Sequence, residues 1–400
     1  LAHTENYVSV EHLKRYTTLG MGTDQGRLSN VNGLAIMAKL RNVKIKNMGT
    51  TTFRAPFTPI TMGAVAGPNI NKHFIPIRLT SMHENHKTFD AKFIRAGQWL
   101  RTQYYNIPNT NVEKIILQEA TNTRENAGIT DISTLGKIEL KGSDITEFLN
   151  KIYINNFENM RLGTCRYGVM LREDGMVFDD GTVTKIKEDN FLITTTTSKA
   201  EQVLQHLEYF SKVEWPNLDV NLLSVTEEWA GIAIAGPNSR CILSDIVKDI
   251  DLSNEACPFM AYREGTLYNI PIRIFRISFS GELAYEINIP ANFGSDMWEI
   301  VIKVGAPYKA KPYGTEAMNI LRIEKGHVVG GEINGRTTAD DLGLSSMMSA
   351  SKDFVGKRAL ERPGLKDMNR PQLVGLTPVD KKTDIPRGGR IINNHNTTFK

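Results

Sequence analysis

RYGVMLREDGMVFDDGTVTKI, running from Arg166 to Ile186, is the stretch on which the reading of this chain turns. Asp174 and Gly175 form a hairpin signal between Tyr167 to Leu171 and Met176 to Thr184. Lys187 to Asn190 then turn the chain into FLITTTT, so the segment reads as a β-meander. It delivers two neighbouring carboxylates, Asp179 and Asp180, to one edge. Successive side chains on a strand point to opposite faces, so one working carboxylate is expected rather than a dyad. We expect Asp179 to enter a site, with Asp180 as its outward neighbour. At an ordinary pKa of about 3.9, Asp179 would be ionised at neutral pH, able to stabilise a cationic reactant or accept a proton from an attacking amine. The same residue types equally describe a simple turn or a solvated strand end.

Working outward, 400 residues suggest two or three domains. An apolar fraction of 40% with 23% charged residues is ordinary for a folded globular chain. The 48 basic and 44 acidic side chains leave +4, spread along the chain rather than gathered in a stripe, which does not indicate nucleic acid. Cys165, Cys241 and Cys257 are an odd number without CxxC or Cys/His ligand spacing. A disulfide framework and a metal site are therefore not expected, and a reducing, cytoplasmic setting fits best. No apolar run approaches the roughly 20 residues of a membrane helix. Leu1 in place of Met, and a last block RGGRIINNHNTTFK that stops after one strand, read as marks of a fragment or processed product.

Ser9 is expected to cap a short helix, Val10 to Thr18, ahead of the glycine-punctuated loop GMGTDQGR. Without a preceding strand, that loop is not a dinucleotide fingerprint. Thr50 to Pro76 is rich in Thr, Pro and Gly, and a domain boundary is placed near residue 80. Phe89, Phe93, Ala96, Leu100 and Tyr104 fall at helical spacing and predict a helix. A second helix is expected from about Val112 to Glu125, and strands between Ile129 and Leu140. Ser143 should cap a further helix, and Ser198 with Glu201 should form a capping box. GIAIAG at 231–236 reads as a strand, RIFRISFS and AYEINI as strands flanking Gly281 and Glu282, and Met318 to Glu324 as a helix stopped by Gly326. Such mixed short elements argue an α+β fold rather than a doubly wound sheet.

Two further residues invite a functional reading. Glu282, in SFSGELAYE, follows a glycine between strands, where a carboxylate can face a concave site or merely an exposed turn. Arg322, in ILRIEKG, sits on a helix whose Met318 and Leu321 should face inward, and Glu324 and Lys325 are near enough to leave it an ordinary surface pair. There is no Ser/His/Asp arrangement, HExxH or P-loop. The residues alone reach an α+β protein with a candidate carboxylate site.

The strings REDGMVFDDG, IAIAGPNSR, SFSGELAYEI, ILRIEKGHVVGGEING and DFVGKRAL occur in the order, and at about the spacing, of the folate-binding aminomethyltransferase family typified by the glycine-cleavage T-protein. SVEHLKRYTTLGMGTDQGRLSNVNGLAIMA and TTTFRAPFTP are not T-protein features. They resemble the region that joins the dinucleotide-binding and folate halves in alpha subunits of the heterotetrameric sarcosine oxidase family. The resemblance implies a T-protein-like fold of mixed α/β subdomains. It implies residues 1–80 as the tail of a dinucleotide-binding module and linker, 81–365 as the folate domain, and 366–400 as the start of a C-terminal β-barrel.

It further implies that a flavin on the beta subunit oxidises sarcosine to an imine. The folate domain passes the one-carbon unit to tetrahydrofolate, giving methylene-tetrahydrofolate and glycine; without folate, water releases formaldehyde. NAD would belong to the part of the subunit upstream of this chain, and the partners would be beta, gamma and delta subunits. By motif position, Asp179 matches the carboxylate that orients the folate amine, Glu282 and Arg322 match residues holding the pterin, and Tyr167 matches an aromatic of that pocket. Departures are SFSGE for the family's GYTGE, and Met176 for the second of two glycines, which fit sarcosine oxidase better than a lipoyl-dependent role. Asp24 stands where related amine-oxidising subunits carry a cluster cysteine, so no iron-sulfur centre is expected there. A free-standing folate-dependent aminomethyltransferase or demethylase, and a non-catalytic folate-binding module, are the alternatives.

Overall fold

The computed structural model describes residues 1–21, 25–52, 60–367 and 369–380, with isolated positions 383, 385, 388 and 389. Asp24, the stretch 53–59 of TTTFRAPFTP and the expected strand in RIINN lie outside the described residues. The chain divides into two units, Leu1–Ile77 and Arg78–Lys400.

In the first unit, Ser9 caps α1 (Val10–Tyr16), its side chain accepting the Glu11 N–H. α2 (Asn30–Leu40) contributes Met37 and Ala38 to a small core with Met48, Tyr7 and Leu13. Lys14 is buried, and its ammonium donates to the Thr52 carbonyl. α3 (Met62–Ala66) starts on the side-chain cap of Thr61 and stops at Gly67, φ 57°.

The second unit opens with α4 (His83–Thr88), then a hairpin of β1 (Ala91–Ala96) and β2 (Trp99–Tyr105) where the spacing predicted a helix. Ala96 pairs with Trp99, leaving the two-residue turn Gly97–Gln98, and Gly97 has φ 59°. A tight hairpin turn of this kind demands positive φ, and the aromatic-rich flanks suit a half-buried ladder. Apolar residues distributed on both faces of the hairpin mimic the 3.6-residue period.

α5 (Val112–Glu125) forms as expected, with Asn111 accepting the Glu113 N–H. β3 (Ala127–Asp131) and β4 (Gly136–Lys141) then enter different sheets. α6 (Ile145–Ile152) lacks the expected Ser143 cap: Ser143 donates instead to Asp219. The meander follows as β5 (Thr164–Leu171), β6 (Val177–Lys187) and β7 (Asn190–Thr195). α7 (Ala200–Tyr209) is entered through a 3-10 turn, Thr197–Lys199, without a capping box. β8 (Asn221–Ser224), β9 (Trp229–Ala235), α8 (Ser239–Ile246), β10 (Tyr262–Leu267), β11 (Ile270–Phe275), β12 (Ala284–Pro290), α9 (Gly294–Gly305), β13 (Ala310–Pro312) and α10 (Thr315–Lys325) complete the order.

Two sheets result. One has the order β10-β11-β12-β9-β3-β13, antiparallel except where β13 runs parallel to β3. The other is β5-β6-β7-β4-β8, antiparallel throughout. Tyr285, Ile287 and Ile234 of the first sheet pack on Ile242 and Leu243 of α8 and on Met297, Trp298 and Val301 of α9, all essentially without exposure. Ile138, Leu140, Val183, Phe191 and Ile193 of the second pack on Phe148, Leu149 and Leu207 of α6 and α7. Each such side chain contributes roughly 2 kcal/mol through burial. The fold is α+β, as the mixed elements predicted. Among the described residues beyond 366 there is no strand; Val374 and Leu376 are exposed, so the expected start of a barrel is not formed there. A lone strand has no ladder partner for its backbone groups, and an isolated hairpin is at best marginal in water.

Candidate functional site

The β5–β6 turn is built as its sequence demands. Asp174 accepts the Met176 N–H and pairs with Arg172, and Gly175 takes φ 88°. The ladder then slips: Met170 opposes Asp179 while Leu171 opposes Val177, which leaves Phe178 as the extra residue of a bulge. A bulge shifts the phase of all side chains beyond it and re-aims them.

That shift reverses the expected faces of the acidic pair. Asp179 is the interior residue, 1% exposed, with both carboxylate oxygens bound by Thr196: the hydroxyl donates to Oδ1 at 2.7 Å and the N–H to Oδ2 at 3.1 Å. Asp180 is not an outward neighbour. It shares a face with Tyr167, whose hydroxyl donates to Asp180 Oδ2 at 2.8 Å. Asp179 thus ties β6 to the turn entering α7, while Asp180 stands beside the aromatic.

Ordinary ionisation is also overturned. Burial raises Asp179 to about 7, aided by the neighbouring Asp180 charge and opposed by the Thr196 hydrogen bonds and Lys199. Burial raises Asp180 too, against the Tyr167 hydrogen bond and Lys199. Lys199 donates to the Phe178 carbonyl at the bulge. Near neutrality Asp179 therefore gains and loses its proton, and a cation brought beside the pair would favour the charged form.

A chain of hydrogen bonds leads from this hairpin to Arg322. The Val177 N–H donates to the Thr337 carbonyl at 2.8 Å, and the Thr337 hydroxyl to the Glu332 carbonyl at 2.9 Å. Arg322 Nη1 donates to Glu332 Oε1 at 2.9 Å and to the His327 carbonyl at 3.1 Å. Arg322 is 11% exposed, and its Nε is buried with no partner among the described residues. It is therefore not a surface pair with Glu324; Glu324 and Glu282 both pair with Arg124 of α5. Glu282 borders a cavity of about 410 Å³ whose wall also includes Arg276, Lys325 and His327. The structure thus links Tyr167 with Asp180, connects that hairpin to Arg322, and sets Glu282 in the wall of a ligand-sized cavity. Asp179 stands behind, in the interior.

Several polar residues escaped the sequence reading. Arg124, Glu332 and Thr196 are contacts made across long sequence separations. Glu286 was legible: alternation along AYEINI sets Glu286 and Asn288 opposite Tyr285, Ile287 and Ile289. Glu286 borders a narrow cleft between the sheets with Lys137, Thr182 and Thr194, and its carboxylate has no hydrogen bond among the described residues. Burial raises Glu286 to about 7, against the attraction of Lys137, and lowers Lys137 to about 8.

Residues 82–352 match the family model described as the GCVT N-terminal domain, and residues 1–68 match that of the sarcosine oxidase A3 domain. The sarcosine oxidase subunit alpha of Rhizobium meliloti (strain 1021) is 46% identical over 396 residues, covering 98% of this chain and 40% of that one. That of Corynebacterium sp. (strain U-96) is 43% identical over 387 residues, covering 96% and 40%. The chain therefore spans about two fifths of the length of these relatives. A solved aminomethyltransferase T of the glycine cleavage system, from Bartonella henselae, superposes with a TM-score of 0.62 at 24% identity over 71% of this chain and 73% of that one. The shared architecture is the T-protein fold. With the GCVT match spanning well over half of its residues, the chain belongs to the family of proteins built on the glycine-cleavage T-protein N-terminal domain.

Proposed function

We propose that the chain is the folate-binding part of a sarcosine oxidase alpha subunit. In this role it passes the one-carbon unit of the imine formed by sarcosine oxidation to tetrahydrofolate, giving methylene-tetrahydrofolate and glycine. The observation that carries the proposal is the acidic pair on the bulged strand, with Tyr167 on Asp180 and a hydrogen-bonded path to Arg322. Similarity to sarcosine oxidase alpha subunits along nearly the whole chain supports the choice of substrate.

The residues fit a flat ring with amide-like edges. Arg322 has a buried donor without a partner, and Glu282 offers a carboxylate at the cavity wall. On this reading Arg322, Glu282 and Tyr167 hold the folate. The ligand-facing carboxylate is Asp180, and Asp179 positions it by pinning the strand to Thr196. Tetrahydrofolate supplies the nucleophilic amine. The chain supplies an anion in a site of low polarity, where attraction to a cation is stronger than in water. The Tyr167 hydroxyl, donating to Asp180, favours its ionised form.

NAD and flavin are assigned to other parts of the enzyme, NAD upstream in the subunit and flavin on the beta subunit, with gamma and delta subunits completing the assembly. No helix among the described residues is long and apolar enough to cross a membrane, and a cytoplasmic setting is proposed. The test is calorimetric titration of tetrahydrofolate onto the chain and onto Arg322→Gln. Micromolar binding that weakens about tenfold in the variant is expected. Equal affinity in both removes Arg322 from the site, and no binding to either overturns the folate reading.

A further inference from the structure

One row of side chains crosses the meander and ends in a group that the reaction above leaves unused. Tyr153, the residue after α6, bridges Met170 of β5 in antiparallel fashion, and the Ile154 N–H donates to the Val169 carbonyl at 3.0 Å. Met170 in turn opposes Asp179 of β6. Directly paired residues share a face of a sheet, so Tyr153, Met170 and Asp179 stand in one row, with Tyr153 and Met170 in the core that α6 covers. The next pair along that face is Gly168 and Gly181. Neither carries a side chain, and the Tyr153 ring lies in the space left: a Cβ built on Gly168 would sit 2.7 Å from Tyr153 Cδ1 and 2.8 Å from Cε1. Phe157 holds the ring by an edge contact, the centroids 5.4 Å apart.

The hydroxyl at the end of that ring is sealed in the interior. Tyr153 is wholly buried, and its Oη makes no hydrogen bond among the described residues. A hydroxyl taken out of water without a partner is costly, and such groups are rare in folded proteins. Burial pushes its pKa up, and the charges of Asp179 and then Asp180 push it further, so it stays protonated and available as a donor. Beside it, Asp179 receives hydrogen bonds from Thr196 alone among the described residues, one at each oxygen, while an ionised carboxylate has room for about four. The other ionisable groups around Asp179 are engaged elsewhere. Tyr167 donates to Asp180 on the opposite face, and Lys199, in the turn entering α7, donates to the Phe178 carbonyl. His206 of α7 packs on Phe178, and burial lowers its pKa. Lys352 donates to the Tyr153 carbonyl, not to the phenol.

We propose that Tyr153 is a positioning residue of the site, whose hydroxyl turns to donate to Asp179 when that carboxyl is ionised. The O–H rotates about its C–O bond, and the glycine pair already lays the ring beside the acid. Tyr153 then does for Asp179 what Tyr167 does for Asp180. Its part in the reaction rests on the function proposed above: a cationic one-carbon donor is stabilised by the ionised pair, and a further donor on Asp179 lowers the pH at which that form appears. A carboxylate that loses one such donor titrates about one unit higher.

The experiment is infrared titration of the carboxylate band that Asp179→Asn removes, in the wild-type chain and in Tyr153→Phe. The expected midpoint is about 7 in wild type and about one unit higher in the variant. Equal midpoints overturn the proposal. Phenylalanine keeps the ring over Gly168, so at pH 5, with Asp179 protonated, the variant's urea midpoint should equal or exceed that of wild type. A loss as large at pH 5 as at pH 8.5 marks a purely structural hydroxyl and also overturns it. If Tyr153→Phe does not fold, Tyr167→Phe removes the other phenol of the site and leaves Tyr153 to be read. Its tyrosine ultraviolet band should step at the Asp179 midpoint, and the step should vanish when Asp179→Asn is added; no step overturns the proposal. In the assembled enzyme, the pH profile of product partition should move up by the same unit in Tyr153→Phe. A shifted infrared midpoint with an unmoved profile overturns the role in one-carbon transfer. Wild type that makes no methylene-tetrahydrofolate overturns the proposed function, while the infrared titration still reads Tyr153.

Discussion

Asp179→Asn isolates the most unusual group in the site. The wild-type carboxyl is held at about 7 by burial, against an ordinary aspartate value of about 3.9. A raised folded-state value means that the folded protein prefers the protonated form. The stability this contributes is complete below about pH 4 and is lost as pH rises to 7. At about 1.4 kcal/mol per pH unit, the full loss is on the order of 4 kcal/mol. Asparagine carries no charge and escapes that loss, but its amide replaces one carboxyl oxygen toward Thr196, so the Thr196 hydroxyl must turn from donor to acceptor, and this disturbance of buried hydrogen bonds costs about 1–3 kcal/mol at every pH. The variant should therefore be less stable than wild type at pH 4.5 and equal or more stable at pH 8. Between pH 5 and 8 the difference should move in its favour by about 3 kcal/mol. Urea unfolding of both proteins across that range measures it. Curves that stay parallel within about 0.5 kcal/mol, the usual scatter of surface substitutions, would refute a buried, proton-sharing Asp179.

Other substitutions probe the same strand and its surroundings. Gly181→Ala puts a Cβ 1.9 Å from the Thr194 carbonyl oxygen, so β6 and β7 must part; urea unfolding should show a loss of about 3 kcal/mol. Tyr167→Phe removes the donor to Asp180 and should raise that carboxyl further, which carboxylate infrared titration would detect as protonation persisting to higher pH. Gly281→Ala forces a positive-φ alanine under Lys325, and should cost about 1 kcal/mol by thermal unfolding.

Much of this fold can be read in the sequence where the controlling interaction is local. Asp174-Gly175 forces the hairpin, Asn111 starts α5 and Gly326 stops α10 because each acts within a few residues. The segment 89–104 misleads because aromatic residues on both faces of a short hairpin satisfy helical spacing; Gly97 was the contrary signal. The acidic pair is visible, yet which member faces which way depends on the bulge at Phe178, a property of strand pairing that the order of residues does not encode. Thr196, Arg124 and Glu332 meet Asp179, Glu282 and Arg322 across 17, 158 and 10 residues, so composition and spacing could not reveal them.

The central claim is that the Asp180 face directs the one-carbon unit to tetrahydrofolate. It is tested most directly by product partition in the assembled enzyme, comparing wild type with Asp180→Asn at saturating sarcosine and tetrahydrofolate. The account predicts unchanged oxygen uptake, with methylene-tetrahydrofolate falling at least about tenfold and formaldehyde rising to match, in the range expected for loss of a charge that stabilises or deprotonates the reacting groups. An unaltered ratio of the two products would contradict it.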